Sequence, residues 1–256
     1  ASPVSFLKSR FCLECHHQPL DEGNLPLNPV AKRQVLLIGA YERDNFGDSL
    51  FALLTRKALE HHGYEVTLSS LITAHAESPL EEIIYSYTAL LSVKRWDAVW
   101  VAGGEIGGIN TSLAIHYSLN ENFYELRGVF EQSERDRLHA LLGAPLVPTS
   151  LAYIPRMAEF PLNKDTPLVI NSAGGFGSRP NDDLLVAALG AALISVRDPS
   201  SQTHLKTLGI MSRLAPDMVH DLASEYPMSP SGNATYLTFQ HKGVLLSRPG
   251  TIDLAA

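Results

Sequence analysis

Four short groups of residues in this chain are of types that could do chemistry together. They are Asn45, Gly47 and Asp48; the run Gly103, Gly104, Gly107 and Gly108; Gly174, Gly175 and Gly177; and the pair Arg197 and Asp198. Asp48 is a carboxylate that could orient or deprotonate a hydroxyl, and Arg197 is a cation whose fork fits a carboxylate or a phosphate. The glycines carry no side chain, so a ligand or another backbone can approach closely there. Each group also has a plainer reading. Asn45 with Asp48, and Asp198 with Pro199, have the spacing of helix N-caps. Glycines turn a chain for conformational reasons alone, and Arg197 could close a structural ion pair with Asp198 or Asp217.

The elements around these groups decide whether they can meet. Val35, Leu36, Leu37 and Ile38 form an apolar run with β-branched members, as in a parallel strand covered on both faces. After the polar turn Glu42, Arg43, Asp44 and Asn45, apolar residues return at Leu50, Leu53, Leu54 and Ala58 with helical spacing. A helix opening there, and ending near Gly63, points its positive end at the carboxyl edge of the strand, a ready site for an anion. Further strands are expected over residues 64–71, 97–102, 167–172, 191–196 and 213–215, with helices over 79–93, within 111–142, over 182–190 and from Pro199 to Gly209. Regular alternation of this kind predicts an α/β fold with a doubly wound parallel sheet, in which all four groups lie at strand ends on one edge.

Composition bounds the rest. The chain has 256 residues, 45% hydrophobic and 18% charged, enough to bury a core. Its formal net charge of -7 argues against nucleic acid or an acidic membrane surface as partner. The longest apolar stretch, 186–196, is too short to span a bilayer, and the N-terminus lacks the pattern of a secretory signal, so a cytoplasmic location is expected. Both cysteines fall in Cys12-Leu13-Glu14-Cys15-His16-His17, a spacing that allows haem attachment or part of a zinc site. Nothing further along the chain completes either, and no metal site or cofactor is expected.

In order along the chain, Asn45-Phe46-Gly47-Asp48, Gly103-Gly104, Ser195-Val196-Arg197-Asp198 followed by Ser200, and Ala215-Pro216-Asp217 after Gly209 resemble the polysaccharide pyruvyl transferase family. The resemblance covers residues 35–219. It implies a Rossmann-like first domain of a glycosyltransferase-B-like architecture, and transfer of pyruvate from phosphoenolpyruvate onto the hydroxyls of a glycan acceptor as a ketal. It also implies that Arg197 helps to bind the phosphoenolpyruvate anion. On this reading Asp48 and Arg197 are catalytic candidates, and Asn45, Gly47, Gly103, Gly104, Gly175, Arg197 and Asp198 bind substrate.

The family pattern continues into a second domain with an arginine and a histidine close together, whereas here only residues 235–240 look like the first strand of such a domain. Arg137-Leu138-His139 precedes the Ser195 motif and reads as a helix face. The expected organisation is an extension over 1–32, a Rossmann-like domain over 33–226, and a linker with the start of an incomplete second domain over 227–256. Two other functions stay open: a nucleotide-sugar glycosyltransferase or epimerase of the same architecture, and a non-catalytic domain that binds sugar or a partner. A nicotinamide dehydrogenase is disfavoured because the first turn lacks Gly-x-Gly-x-x-Gly.

Overall fold

A computed structural model of the protein describes residues 32–43, 45–75, 80–118, 151–177, 190–216 and 219. The strands are β1 (Arg33–Ile38), β2 (Tyr64–Ser70), β3 (Ala74–His75), β4 (Ile83–Ser86), β5 (Ala98–Ala102), β6 (Leu168–Ala173), β7 (Ala191–Val196) and β8 (Arg213–Leu214). They form one sheet in the order β3-β4-β2-β1-β5-β6-β7-β8. All neighbours are parallel except β3 and β4, which are antiparallel. The α-helices among the described residues are α1 (Phe46–His61), α2 (Tyr87–Val93), α3 (Thr111–Ser118) and α4 (Pro199–Thr207).

The apolar run of β1 explains why the sheet is central. Successive side chains of a strand point to opposite faces. Leu36 and Ile38 enter one apolar cluster with Tyr87 and Leu91 of α2, Ala114 and Ile115 of α3 and Leu205 of α4. Leu37 joins a second cluster with Ala52 of α1, and Val35 a third with Leu59 of α1. The side chains of Val35, Leu36, Leu37 and Ile38 are all buried, so both faces are covered, as a doubly wound sheet requires. Each such side chain contributes about 1.5–3 kcal/mol through its burial. No helix among the described residues is long and apolar enough to cross a membrane.

One expected element is corrected. Residues 79–93 are not a single helix: Ile83–Ser86 form β4, and only Tyr87–Val93 are helical. The stretch alternates exposed and buried, and the edge of β2 offers it parallel partners at Ser69 and Ser70. The Ser86 hydroxyl also donates to the Leu71 carbonyl at 3.0 Å, and the Ser86 N–H donates to Thr73 Oγ1 at 3.0 Å. These non-local bonds outweigh a helical spacing that the two isoleucines only half satisfy. The cysteine cluster at Cys12 and Cys15, the Arg137-Leu138-His139 triplet, all but the last residue of the expected helix over 182–190, Asp217 and the expected boundary at 226–227 lie outside the described residues.

The strand order turns back at β1. From it, β2 and β4 extend the sheet one way and β5, β6, β7 and β8 the other, so the carboxyl ends of β1 and β5 flank the switch point at which such sheets hold ligands. The chain leaves β5 through Gly103 and Gly104, with φ of +77° and +71°, in the left-handed region that glycine adopts without cost. A Cβ on Gly103 would collide with the ring of Phe51 on α1. Gly103→Ala is therefore expected to destabilise the fold by about 1–3 kcal/mol, the range for a residue held in a sparsely populated conformation. A chemical-denaturation midpoint equal to that of the wild type would contradict this.

Candidate active site at the switch point of the sheet

Asn45 caps α1 as its spacing suggests: the exposed side chain accepts the Gly47 N–H at 3.0 Å. Asp48, in the first turn, does something other than complete a capping box. It is 8% exposed and accepts Arg43 Nη2 at 3.1 Å through Oδ2. Burial pushes its carboxyl up to about 6, with a further push from Glu42, against the pull of Arg43 and Arg197. A carboxyl that titrates near neutrality can exchange protons with a reacting group, which an ordinary exposed aspartate does poorly.

Bare glycine backbone separates Asp48 from Arg197. A Cβ on Gly104 would lie 3.0 Å from Asp48 Oδ1, and a Cβ on Gly174 would lie 2.7 Å from Arg197 Nε and 3.2 Å from Asp198 Oδ2. The two glycine turns are joined by backbone hydrogen bonds, Gly174 N–H to the Gly104 carbonyl at 2.8 Å and Gly107 N–H to the Gly174 carbonyl at 2.9 Å. Gly175, with φ of +81°, packs against the same loop, where a Cβ would meet the Glu105 carbonyl at 3.0 Å. The four sequence groups thus come to one edge of the sheet, linked in the order Asp48, Gly104, Gly174, Arg197.

Arg197 forms an ion pair with Glu105, a partner its place in the sequence does not suggest. Its guanidinium lies 3.8 Å from Glu105 Oε1, a loose contact to a carboxylate whose side chain is 46% exposed. Asp198 is engaged elsewhere, as the N-cap of α4: Oδ1 accepts the Ser201 N–H and Oδ2 the Ser201 hydroxyl, each at 2.7 Å. The Ser201 oxygen in turn accepts the Phe176 N–H at 3.2 Å, which ties the cap to the glycine turn after β6. Within the same motif Ser195 also braces the sheet, donating to Asn171 Oδ1 at 2.8 Å and accepting the Ser172 N–H at 2.9 Å.

Sequence reasoning passed over a buried polar group behind Asp48. Glu42 is 8% exposed, and its carboxylate accepts the Tyr153 hydroxyl at 2.6 Å and also the Ser70 hydroxyl. The Arg43 guanidinium lies over the Tyr153 ring, 5.8 Å from its centroid. Burial raises the Tyr153 and Tyr41 hydroxyls well above the usual tyrosine range, so both stay protonated. The signal available in sequence is a Glu-Arg pair in the turn after a buried strand, but Tyr153 lies 111 residues from Glu42 and nothing local links them. Among the described residues no group of three or more histidine, cysteine, aspartate or glutamate side chains is placed to hold a metal ion.

The family model for Polysaccharide pyruvyl transferase matches residues 45–250, a span that begins at the cap of α1 and includes all four groups. A search of curated proteins finds no match to the chain.

Proposed function

The chain belongs to the polysaccharide pyruvyl transferase family, and from that premise we propose that it moves pyruvate from phosphoenolpyruvate onto two hydroxyls of a glycan acceptor. The observation that carries the reading is that Arg197 and Asp48 lie against the two hydrogen-bonded glycine turns at Gly174 and Gly104, at the switch point. The donor carries a phosphate and a carboxylate, so it calls for a guanidinium and helix N–H groups rather than an apolar slot. Arg197 takes one of these anionic groups, with the first turn of α1 at Asn45 and Gly47 as second anchor, and Gly103, Gly104 and Gly175 leave the backbone approachable. Asp198 acts from behind, holding the start of α4.

The reaction needs a proton on the donor's methylene carbon. That step makes a cation which one sugar hydroxyl attacks, losing its proton; the C–O bond to phosphate then breaks, and the second hydroxyl adds to close the ketal. One hydroxyl proton replaces the one spent on carbon, the other leaves with phosphate, and the products are a ketal and inorganic phosphate. A carboxyl poised near pH 6 suits Asp48 to this exchange, and the negative donor beside it favours its protonated form. The steps ask for an acid, a base and anion stabilisers, so the reading includes no resident cofactor. It takes the sheet as the first domain of a glycosyltransferase-B-like architecture, and it places the reaction in the cytoplasm, since a charged donor does not cross a bilayer unaided.

The test is product analysis. Incubated with phosphoenolpyruvate and a panel of glycosides bearing neighbouring hydroxyl pairs, the protein is expected to release phosphate and yield one glycoside carrying a pyruvate ketal, in equal amounts. Phosphoenolpyruvate that neither binds in calorimetry nor is consumed with any glycoside would reject the donor.

A further inference from the structure

We propose that Tyr153 and Glu42 are positioning residues of the transfer site, a buried clamp that holds the Arg43 guanidinium against Asp48. Three segments meet in it. Glu42 and Arg43 are neighbours in the turn after β1, Ser70 ends β2, and Tyr153 arrives on a segment fastened to the loop after β5. That fastening is a bridge between Asn110 and Leu151 and the Ala152 N–H to Ile109 carbonyl bond at 3.0 Å. The Tyr153 side chain is completely buried; its hydroxyl reaches Glu42 at 2.6 Å while its ring lies under Arg43, whose Nη2 reaches Asp48 at 3.1 Å.

The chemistry of the group argues against a purely structural role. Burying a carboxylate costs free energy, and an apolar core of the same volume would serve packing as well or better. Here the carboxylate has its two oxygens on two hydroxyls, and the residue next to it is the arginine that pairs with Asp48. One aromatic side chain thus fixes both ends of the Glu42-Arg43 dipeptide, through its hydroxyl and through its face. A guanidinium on a flexible stem is held in one place only by such contacts on more than one side. Among the described residues, the charged and titratable groups within reach of Asp48 are Arg43, Glu42 and Tyr41 from the turn after β1, Tyr153 itself, and Arg197 from the turn after β7, with Arg56 of α1 beyond Tyr41. Of these, Arg43 is the one hydrogen-bonded to Asp48, and it also lies over the Tyr153 ring whose hydroxyl holds Glu42.

The inference rests on the reading of Asp48 as a group active in transfer, and the experiment separates the two. Carbon-13 labelling of aspartate, with Asp48→Asn to assign the signal, follows the Asp48 carboxyl through its titration. Arg43→Ala sets the scale, with a midpoint raised by roughly one pH unit or more as a neighbouring cation is lost. Tyr153→Leu is expected to raise it in the same direction, and Tyr153→Phe, which keeps the ring but not the bond to Glu42, by a smaller amount. Should Tyr153→Leu fail to fold, Tyr153→Phe decides. A Tyr153→Phe midpoint equal to that of the wild type overturns the clamp. A raised midpoint with an unchanged pH profile of phosphate release from phosphoenolpyruvate upholds the clamp and rejects the catalytic role of Asp48.

Discussion

Arg197→Ala is expected to bind phosphoenolpyruvate roughly ten- to a hundredfold more weakly than the wild type, the equivalent of about 1.5–3 kcal/mol for hydrogen bonds to a charged group. Arg197 follows the buried carboxyl end of β7 with its side chain 25% exposed, and its contact to Glu105 at 3.8 Å is long enough for a ligand to compete. Arg197→Lys keeps the charge without the fork and should recover only part of the affinity. Gly174→Ala provides a test that leaves Arg197 in place: its methyl group would fall 2.7 Å from Arg197 Nε, so the guanidinium must move and affinity should drop. Calorimetric titration of the four proteins decides the matter. Equal affinity of wild type and Arg197→Ala would reduce Arg197 to a structural partner of Glu105.

The parts of the fold that can be read from sequence are those whose signal is local. Residues 35–38 announce a strand covered on both faces because four consecutive apolar residues leave no side for water, and Asn45, Gly63, Asp198 and Gly209 mark helix ends by conformational preferences of single residues. Residues 83–86 mislead because their state is decided by a partner: the open edge of β2 accepts Tyr85 and Ser86 as a parallel strand, and Ala74 with His75 adds the antiparallel edge. Propensity yields to such pairing when both compete for the same backbone groups.

The site divides in the same way. Asn45, Asp48, the glycine turns and Arg197 follow strands, and topology alone carries strand ends to a common edge, so their meeting is legible in the sequence. The partners of those residues are not. Arg197 pairs with Glu105 rather than its chain neighbour because Asp198 is spent on capping α4, and Asp48 takes Arg43 rather than its own cap because it is buried and charged. Glu42, Ser70 and Tyr153 come from three separate stretches, and only the packing of the sheet brings a carboxylate and two hydroxyls within hydrogen-bond distance. Polar pairing of buried groups is a property of the assembled core, where each unpaired group would cost about 1–3 kcal/mol.

Asp48→Asn is expected to abolish most turnover and at the same time to stabilise the protein. The folded carboxyl keeps its proton to about pH 6, whereas in the unfolded chain it loses it near the usual 3.8. The native state therefore holds the extra proton between these values, and stability drains away as pH rises through that window; at neutral pH the loss is complete. A window about two pH units wide, at roughly 1.4 kcal/mol for each pH unit, corresponds to about 3 kcal/mol. Asparagine carries no charge to bury, so it should recover about 1–3 kcal/mol at pH 7 while losing the contribution of Asp48 below about pH 4. The denaturation midpoint of the wild type should thus fall between about pH 4 and pH 6 more steeply than that of the variant. Turnover should drop by roughly 10²–10⁴, the usual contribution of a positioned acid or base. In the wild type, kcat/KM should decline above about pH 6 as free Asp48 ionises, and kcat at a higher pH, because the donor's negative charge raises the same group in the complex. An Asp48→Asn variant that turns over normally, or that keeps the same limb in its pH profile, would transfer the proton to another group. A variant less stable than the wild type at pH 7 would show instead that the ion pair with Arg43 outweighs the burial of its charge.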